Sequence, residues 1–284
     1  MAYFNGPTTI DPPPAPMRPY GIFDVALGPM EFPMEPAQGG GVMYVPDVCE
    51  DDVFLIQMNC PPTTGAKTFS SVEAPVSGAP FAVMTSYTCG SIGFDFAEAE
   101  RRVRLRMALR EQRAVERRIW QGQSNGTLGS IPGLFAGATN LGSAGCAVEA
   151  MEILEQTLAD NAVVGGMIHA RPGMAAHLVN NHQIVEGPGV RKRSILGTPF
   201  VFGQGYSGVG PTGQAVDGTS EWMYASGRVV IWQAPVWVPP PGQVMDRALN
   251  QTMLIAERVY AVAIECGVWA IQVTRTCTTA GGGS

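Results

Sequence analysis

FAEAERRVRLRMALREQRAVERRIWQG, from Phe96 to Gly122, contains no proline and no internal glycine. Ala, Leu, Arg, Glu, Gln and Met dominate it, all strong helix formers, and β-branched residues are few. Asp95 is placed to cap the start and Gly122 to end it. At 1.5 Å per residue such a helix runs roughly 35–40 Å, long for a globular domain. Eight of the sixteen arginines of the chain lie between Arg101 and Arg118. Leu105, Ala108, Leu109, Gln112, Val115 and Ile119 follow helical spacing and predict one apolar stripe. Arg102, Arg106, Arg110, Arg113 and Arg117 form a second stripe, open to a polyanion or to acidic patches of neighbouring subunits. Glu98 precedes Arg102 by four and Glu100 precedes Arg104 by four, the favourable order for surface ion pairs. A long basic rod of this kind points to a scaffold element of an assembly more than to a catalytic core.

The rest of the chain has a different character. Of 284 residues, 45% are hydrophobic and only 15% charged, against about 25% charged in average proteins. So little charge leaves much surface to be covered, which points to burial between subunits. The net charge of −6 argues against a free nucleic-acid binder, which would be basic overall. The 35 glycines and 23 prolines imply many turns and extended segments. The first twenty residues lack the basic and apolar regions of a signal peptide. No apolar run reaches the 18 residues that a membrane span needs; Val229–Val238 ends in Pro239-Pro240-Pro241. The six cysteines are widely spaced, and without a secretory signal they are expected to be reduced. Three histidines, with His177 and His182 five apart, predict no metal site and no cofactor.

Residues 1–50 read as an arm. MAYFNGPTTIDPPPAPMRPYG is too rich in proline and glycine for a helix, and the segment is expected to bury little by itself. Residues 51–90 read as an extended hairpin, with strand-like VFLIQM and PFAVMTSYTC around a polar, turn-rich stretch. AVEAMEILEQTLAD (147–160) predicts an amphipathic helix, and RPGMAAHLVNNHQIV a further one with Pro172 in its first turn. VVGGMIHA (163–170) reads as a strand, ILGTPFVFGQGY as a strand followed by a loop, EWMYASGRVVIWQAPVWV as a pair of strands, and residues 250–274 as one or two long strands. Two catalytic patterns fail on context. Gly122-Gln-Ser124-Asn-Gly126 matches the nucleophile elbow of serine hydrolases, but a helix precedes Ser124 where a strand is required. Gly203-Gln-Gly205-Tyr-Ser-Gly208 matches a dinucleotide loop, but Gly210, Pro211 and Gly213 forbid the helix that must follow; a mobile or partner-contacting loop is expected instead.

The order of these parts resembles the major capsid proteins of tailed bacteriophages, particularly of actinobacterial phages. PFAVMTSYTCGSIGFDF followed by the long helix looks like that family's hairpin return and spine helix. MIHARPGMAAHL, LGTPFVFGQGYSGVGP and WMYASGRVVIWQ look like its axial domain, and DRALNQTMLIAERVYAVAIECGVWAIQV like its closing segment. The resemblance implies an α+β fold with an N-terminal arm (1–50), an extended hairpin loop (51–90), a spine helix with part of a peripheral domain (91–146), an axial domain (147–222) and a peripheral return with a C-terminal tail (223–284). It implies a non-enzymatic shell subunit forming hexamers and pentamers around double-stranded DNA. Such a subunit belongs to the virion and is assembled in the host bacterial cytoplasm, with separate scaffolding, portal and decoration proteins and no membrane. Deletion of residues 1–40 would then leave a soluble subunit that assembles poorly. Some relatives weld their shells by a Lys–Asn isopeptide bond with Glu as base; the matching residues here are Lys67, Asn250 and Glu257. The alternatives are an encapsulin-like nanocompartment shell of the same fold and, from another class, a serine hydrolase using Ser124.

Overall fold

A computed structural model describes residues 19–32, 40–46, 49, 74–90, 95–124, 130–187, 191–215, 217–240, 245–246 and 251–275. Its axis is the helix Phe96–Trp120. Asp95 caps it, its carboxylate accepting the Ala97 amide at 3.0 Å, and Glu98–Arg102 and Glu100–Arg104 form the expected ion pairs along it. Its buried face differs from the expected stripe. Ala99, Val103, Met107, Glu111, Val115 and Ile119, spaced by four, face inward, while Leu109 is 41% exposed. The charge of Glu111 hid this face in the sequence. Arg258 pairs with that carboxylate at 3.3 Å, which lets an acidic residue sit in an otherwise apolar row.

The helix lies across a five-stranded sheet. Gln251–Ile264 is its central strand. On one edge it pairs antiparallel with Pro80–Gly90 over eleven residue pairs. On the other it pairs with Val229–Gln233 and Met245–Asp246, and Leu27–Glu31 adds a parallel strand beyond Val229–Gln233. A second sheet runs Phe200–Phe202, Met167–Ala170, Ser220–Ser226, Val268–Thr274, Thr139–Ala144. It draws strands from both sides of the 147–222 segment. The helix Ala147–Asp160 packs on one face of it, and the C-terminal end of the long helix on the other.

Alternation along Ser220–Ser226 shows how the two cores share a wall. Trp222 and Tyr224 enter the core under the long helix, and Met223 and Ala225 enter the core under Ala147–Asp160. All seven residues are buried, as expected for a strand covered on both faces. Two short crossovers connect the sheets. Gly227 and Arg228 lead from Ser220–Ser226 to Val229–Gln233, and Glu265 to Gly267 lead from Gln251–Ile264 to Val268–Thr274.

Two expectations require correction, and a third lies partly outside the described residues. The arm is not wholly without a core: Ile22, in the one-turn helix Ile22–Val25, is fully buried, and Ala26 and Phe32 are also inside. The proline content that rules out long helices leaves room for one turn and an edge strand, so deleting residues 1–40 removes part of the core as well as the arm. At the root of the excursion (the extended hairpin expected over 51–90), Val42–Tyr44 pairs antiparallel with Val76–Gly78; VFLIQM, at 53–58, lies outside the described residues. Finally, Cys49 is disulfide-bonded to Cys266, 217 residues away. That separation hides the pair from any reading of local spacing.

Candidate assembly interface

The long helix ends in an aromatic cluster. The Trp120 ring lies 4.5 Å from Tyr206 and from Tyr224, and 5.9 Å from Phe135, centroid to centroid. Its indole N–H donates to the Val209 carbonyl at 2.9 Å, and the Tyr224 hydroxyl donates to the same oxygen at 3.0 Å. Behind them His169 is fully buried, with Nδ1 2.8 Å from the Tyr206 hydroxyl and Nε2 2.8 Å from Ser226 Oγ. Ser226 spends its only proton on the Gly227 carbonyl, so Nε2 carries the ring proton and Nδ1 accepts from Tyr206. Burial pushes the His169 pKa down to about 3, and the ring is neutral.

Glu116, also fully buried, fixes the loop after Phe200–Phe202. One carboxylate oxygen accepts the Gly205 amide at 2.9 Å, and the other accepts the Ile22 amide and the Gln112 side chain, each at 3.1 Å. Burial raises its pKa, and the donors around it pull in the other direction. The glycines of the G-x-G-x-x-G stretch are explained by packing. A Cβ on Gly205 would lie 2.2 Å from the Arg113 carbonyl, and one on Gly203 2.7 Å from the Tyr206 ring. Residues 205 and 206 are therefore held against the helix, and only 212–215 and 217–219 form an exposed tip, the part open to a partner. Among the described residues no helix follows the motif before Ser220–Ser226.

The arginine stripe divides into two parts. Arg102 bonds Glu98, and its guanidinium lies 5.9 Å from the Tyr87 ring centre. Arg106 donates to the Ser86 carbonyl at 2.9 Å and sits over Tyr87 at 4.8 Å. These two fasten the helix to Pro80–Gly90. Arg110, Arg113 and Arg117 have no carboxylate partner among the described residues. Arg113 and Arg117 flank an open recess of about 540 Å³ whose other walls include Gln121, Gln123, Gln204 and Ser207. A recess with cationic sides and amide donors suits an anionic group.

The proposed cross-link set is only partly visible. Lys67 and Asn250 lie outside the described residues. Glu257 stands in the central strand, half-buried, its backbone N–H and C=O both bonded to Trp237. Ser124 ends the short strand Gly122–Ser124, which follows the long helix directly and pairs with Ser130–Pro132. That order reverses the strand-then-helix order of a nucleophile elbow. Among the described residues no group of three or more His, Cys, Asp or Glu could hold a metal, and no helix is long and apolar enough to cross a membrane.

No family model and no curated protein sequence matches this chain. Solved structures do. A chain in the asymmetric unit of the mature capsid of bacteriophage PhiM1 aligns at 12% identity and a TM-score of 0.50, covering 95% of this chain and 92% of that one. A chain of the capsid of a native GTA particle, computed with C5 symmetry, aligns at 10% identity and 0.53, covering 96% of each. A chain from Mycobacterium phage Bobi aligns at 12% and 0.53, covering 94% and 95%. At such identity the likeness is one of fold, and it extends over nearly the whole chain: this is the α+β capsid fold that the order of segments resembles.

Proposed function

We propose that the chain is a structural, non-enzymatic subunit of an icosahedral phage capsid, self-assembling into hexamers and pentamers that enclose double-stranded DNA in the virion. The observation that carries this reading is the near-complete, end-to-end correspondence with capsid chains on both sides of the alignment. The long helix is its spine, the second sheet with Ala147–Asp160 its axial part, and the arm and excursion overlap neighbouring copies. Arg110, Arg113 and Arg117 meet anionic groups non-specifically, packaged DNA included. Separate scaffolding, portal and decoration proteins complete the assembly, which takes place in the host bacterial cytoplasm.

Electron microscopy of the purified protein, with sedimentation alongside, tests the proposal. Closed shells or hexameric rings are expected. A species that stays monomeric or dimeric at every protein and salt concentration, with or without a candidate scaffold, counts against it. The same particles test Lys67, Asn250 and Glu257. On a denaturing gel the expected result is a single band near 30.1 kDa; a covalent ladder abolished by Lys67→Arg would instead assign the cross-link.

A further inference from the structure

The two roots of the excursion are held very unequally. The returning root, Val76–Gly78, runs on into the eleven-pair ladder of Pro80–Gly90. The outgoing root, Val42–Tyr44, has three backbone pairs. Its remaining attachments converge on the joint between the two sheets. The Tyr44 ring meets Trp232 edge-on at 5.7 Å. Its hydroxyl donates to Glu265 Oε1 at 2.6 Å, and burial together with that carboxylate raises the phenol's pKa. Glu265, fully buried, also accepts two bonds from Arg228, at 2.8 and 2.9 Å. The next residue, Cys266, has a positive φ of 60° and is bonded to Cys49.

The joint has its own fastenings. The Gly227 amide donates to the Gly267 carbonyl at 3.1 Å, and the Glu265 amide to the Arg228 carbonyl at 3.0 Å. A Cβ on Gly227 would lie 2.0 Å from the Glu265 carbonyl oxygen, so the two crossovers touch backbone to backbone. None of these contacts involves sulfur. Both cysteines are only half-buried, within reach of a small thiol or disulfide.

We propose that Cys49–Cys266 is a redox latch. Oxidised, it ties the outgoing root of the excursion to the joint between the sheets; reduced, it frees that root and leaves the joint closed. A low-molecular-weight disulfide closes it. One cysteine thiolate attacks that disulfide, forming a mixed disulfide and releasing one thiolate. The second cysteine then attacks the bonded cysteine sulfur and releases the other thiolate. Two protein thiols are oxidised and one small disulfide is reduced to two thiols. The latch is open in a reducing compartment and closes outside it. This inference does not depend on shell formation.

Hydrogen exchange on the full chain tests it, comparing protein incubated with oxidised glutathione, protein treated with a phosphine reductant, and Cys49→Ser. Reduction is expected to speed exchange of the amides of 42–44 and 76–78 by about tenfold or more, with those of Gly227 and Glu265 unchanged. Cys49→Ser should behave as the reduced protein under both conditions. Alkylation mapping that finds Cys49 and Cys266 both free after oxidised glutathione would overturn the latch. So would unchanged exchange at 42–44 on reduction, or equal acceleration at Gly227 and Glu265.

Discussion

Glu116 and Gly205 meet across 89 residues of chain, carboxylate to amide, at 2.9 Å, while the other oxygen of the same carboxylate holds Ile22, 94 residues earlier. One helix side chain thus supplies the acceptor for two buried backbone donors. Glu116→Ala would leave both unpaired, at a cost of about 2–4 kcal/mol, and calorimetry should show Tm lower by roughly 5–15 °C. Glu116→Gln keeps one oxygen acceptor and should lose about half as much. Because burial raises the folded pKa of Glu116, its contribution is fully present below the ordinary carboxylate range and declines as pH rises through the raised value.

Gly205 and Gly137 make a controlled pair. A Cβ at Gly205 meets the Arg113 carbonyl at 2.2 Å, whereas one at Gly137 meets nothing within 4 Å. Gly205→Ala should destabilise by about 1–3 kcal/mol through overpacking. Gly137→Ala should stay within about 0.5 kcal/mol of the parent. Urea denaturation midpoints at constant m-value measure both.

Arg113→Glu combined with Arg117→Glu reverses the charge of the recess without breaking an internal ion pair. The melting temperature of the isolated subunit should move by no more than about 2 °C. Assembly yield, followed by light scattering, should fall, and its dependence on salt should weaken. An unchanged salt dependence would remove these arginines from the interface.

His169 sets an acid limit. With a folded pKa of about 3 against an ordinary value near 6.5, the unfolded chain gains a proton between those limits that the folded chain refuses. Stability is therefore full above pH 6.5 and falls as pH drops, by about 1.4 kcal/mol per unit at the steepest. Glu116 acts with the opposite sign above the carboxylate range, so the comparison must be made against a variant. His169→Gln loses stability at neutral pH, but its stability should decline less between pH 6.5 and 4.5 than that of the parent. Parallel profiles for the two proteins would show that His169 does not titrate on unfolding.

Most of the elements were legible because their signals are local. The helix Ala147–Asp160 has matching period and ends, and the long helix has its cap at Asp95. VVGGMIHA and EWMYASGRVVIWQAPVWV contain the strands read there, though the first begins only at Met167. What escaped was every feature that depends on a partner distant in the chain. Nothing beside Glu111 and Glu116 in the sequence marks them as buried, yet Arg258 and two backbone amides meet them inside the fold. EWMYAS and RVVIWQ were legible as two strands, but not that Gly227 and Arg228 send them into different sheets. Cys49–Cys266 left no trace in local spacing. The arginine stripe was readable as a face of the helix. Its division into a fastened pair and three guanidiniums without a carboxylate partner among the described residues was not, because it depends on Ser86 and Tyr87 lying beneath one end only.

The doubly buried strand Ser220–Ser226 has a thermodynamic corollary. Successive side chains belong to opposite cores, so neither core can lose its order while the other keeps a complete lining. The subunit should melt in a single step, with calorimetric and van't Hoff enthalpies in agreement, and no fragment ending within that strand should fold alone. Damage at either core is then felt as a lower population of the intact molecule, not as a softened half.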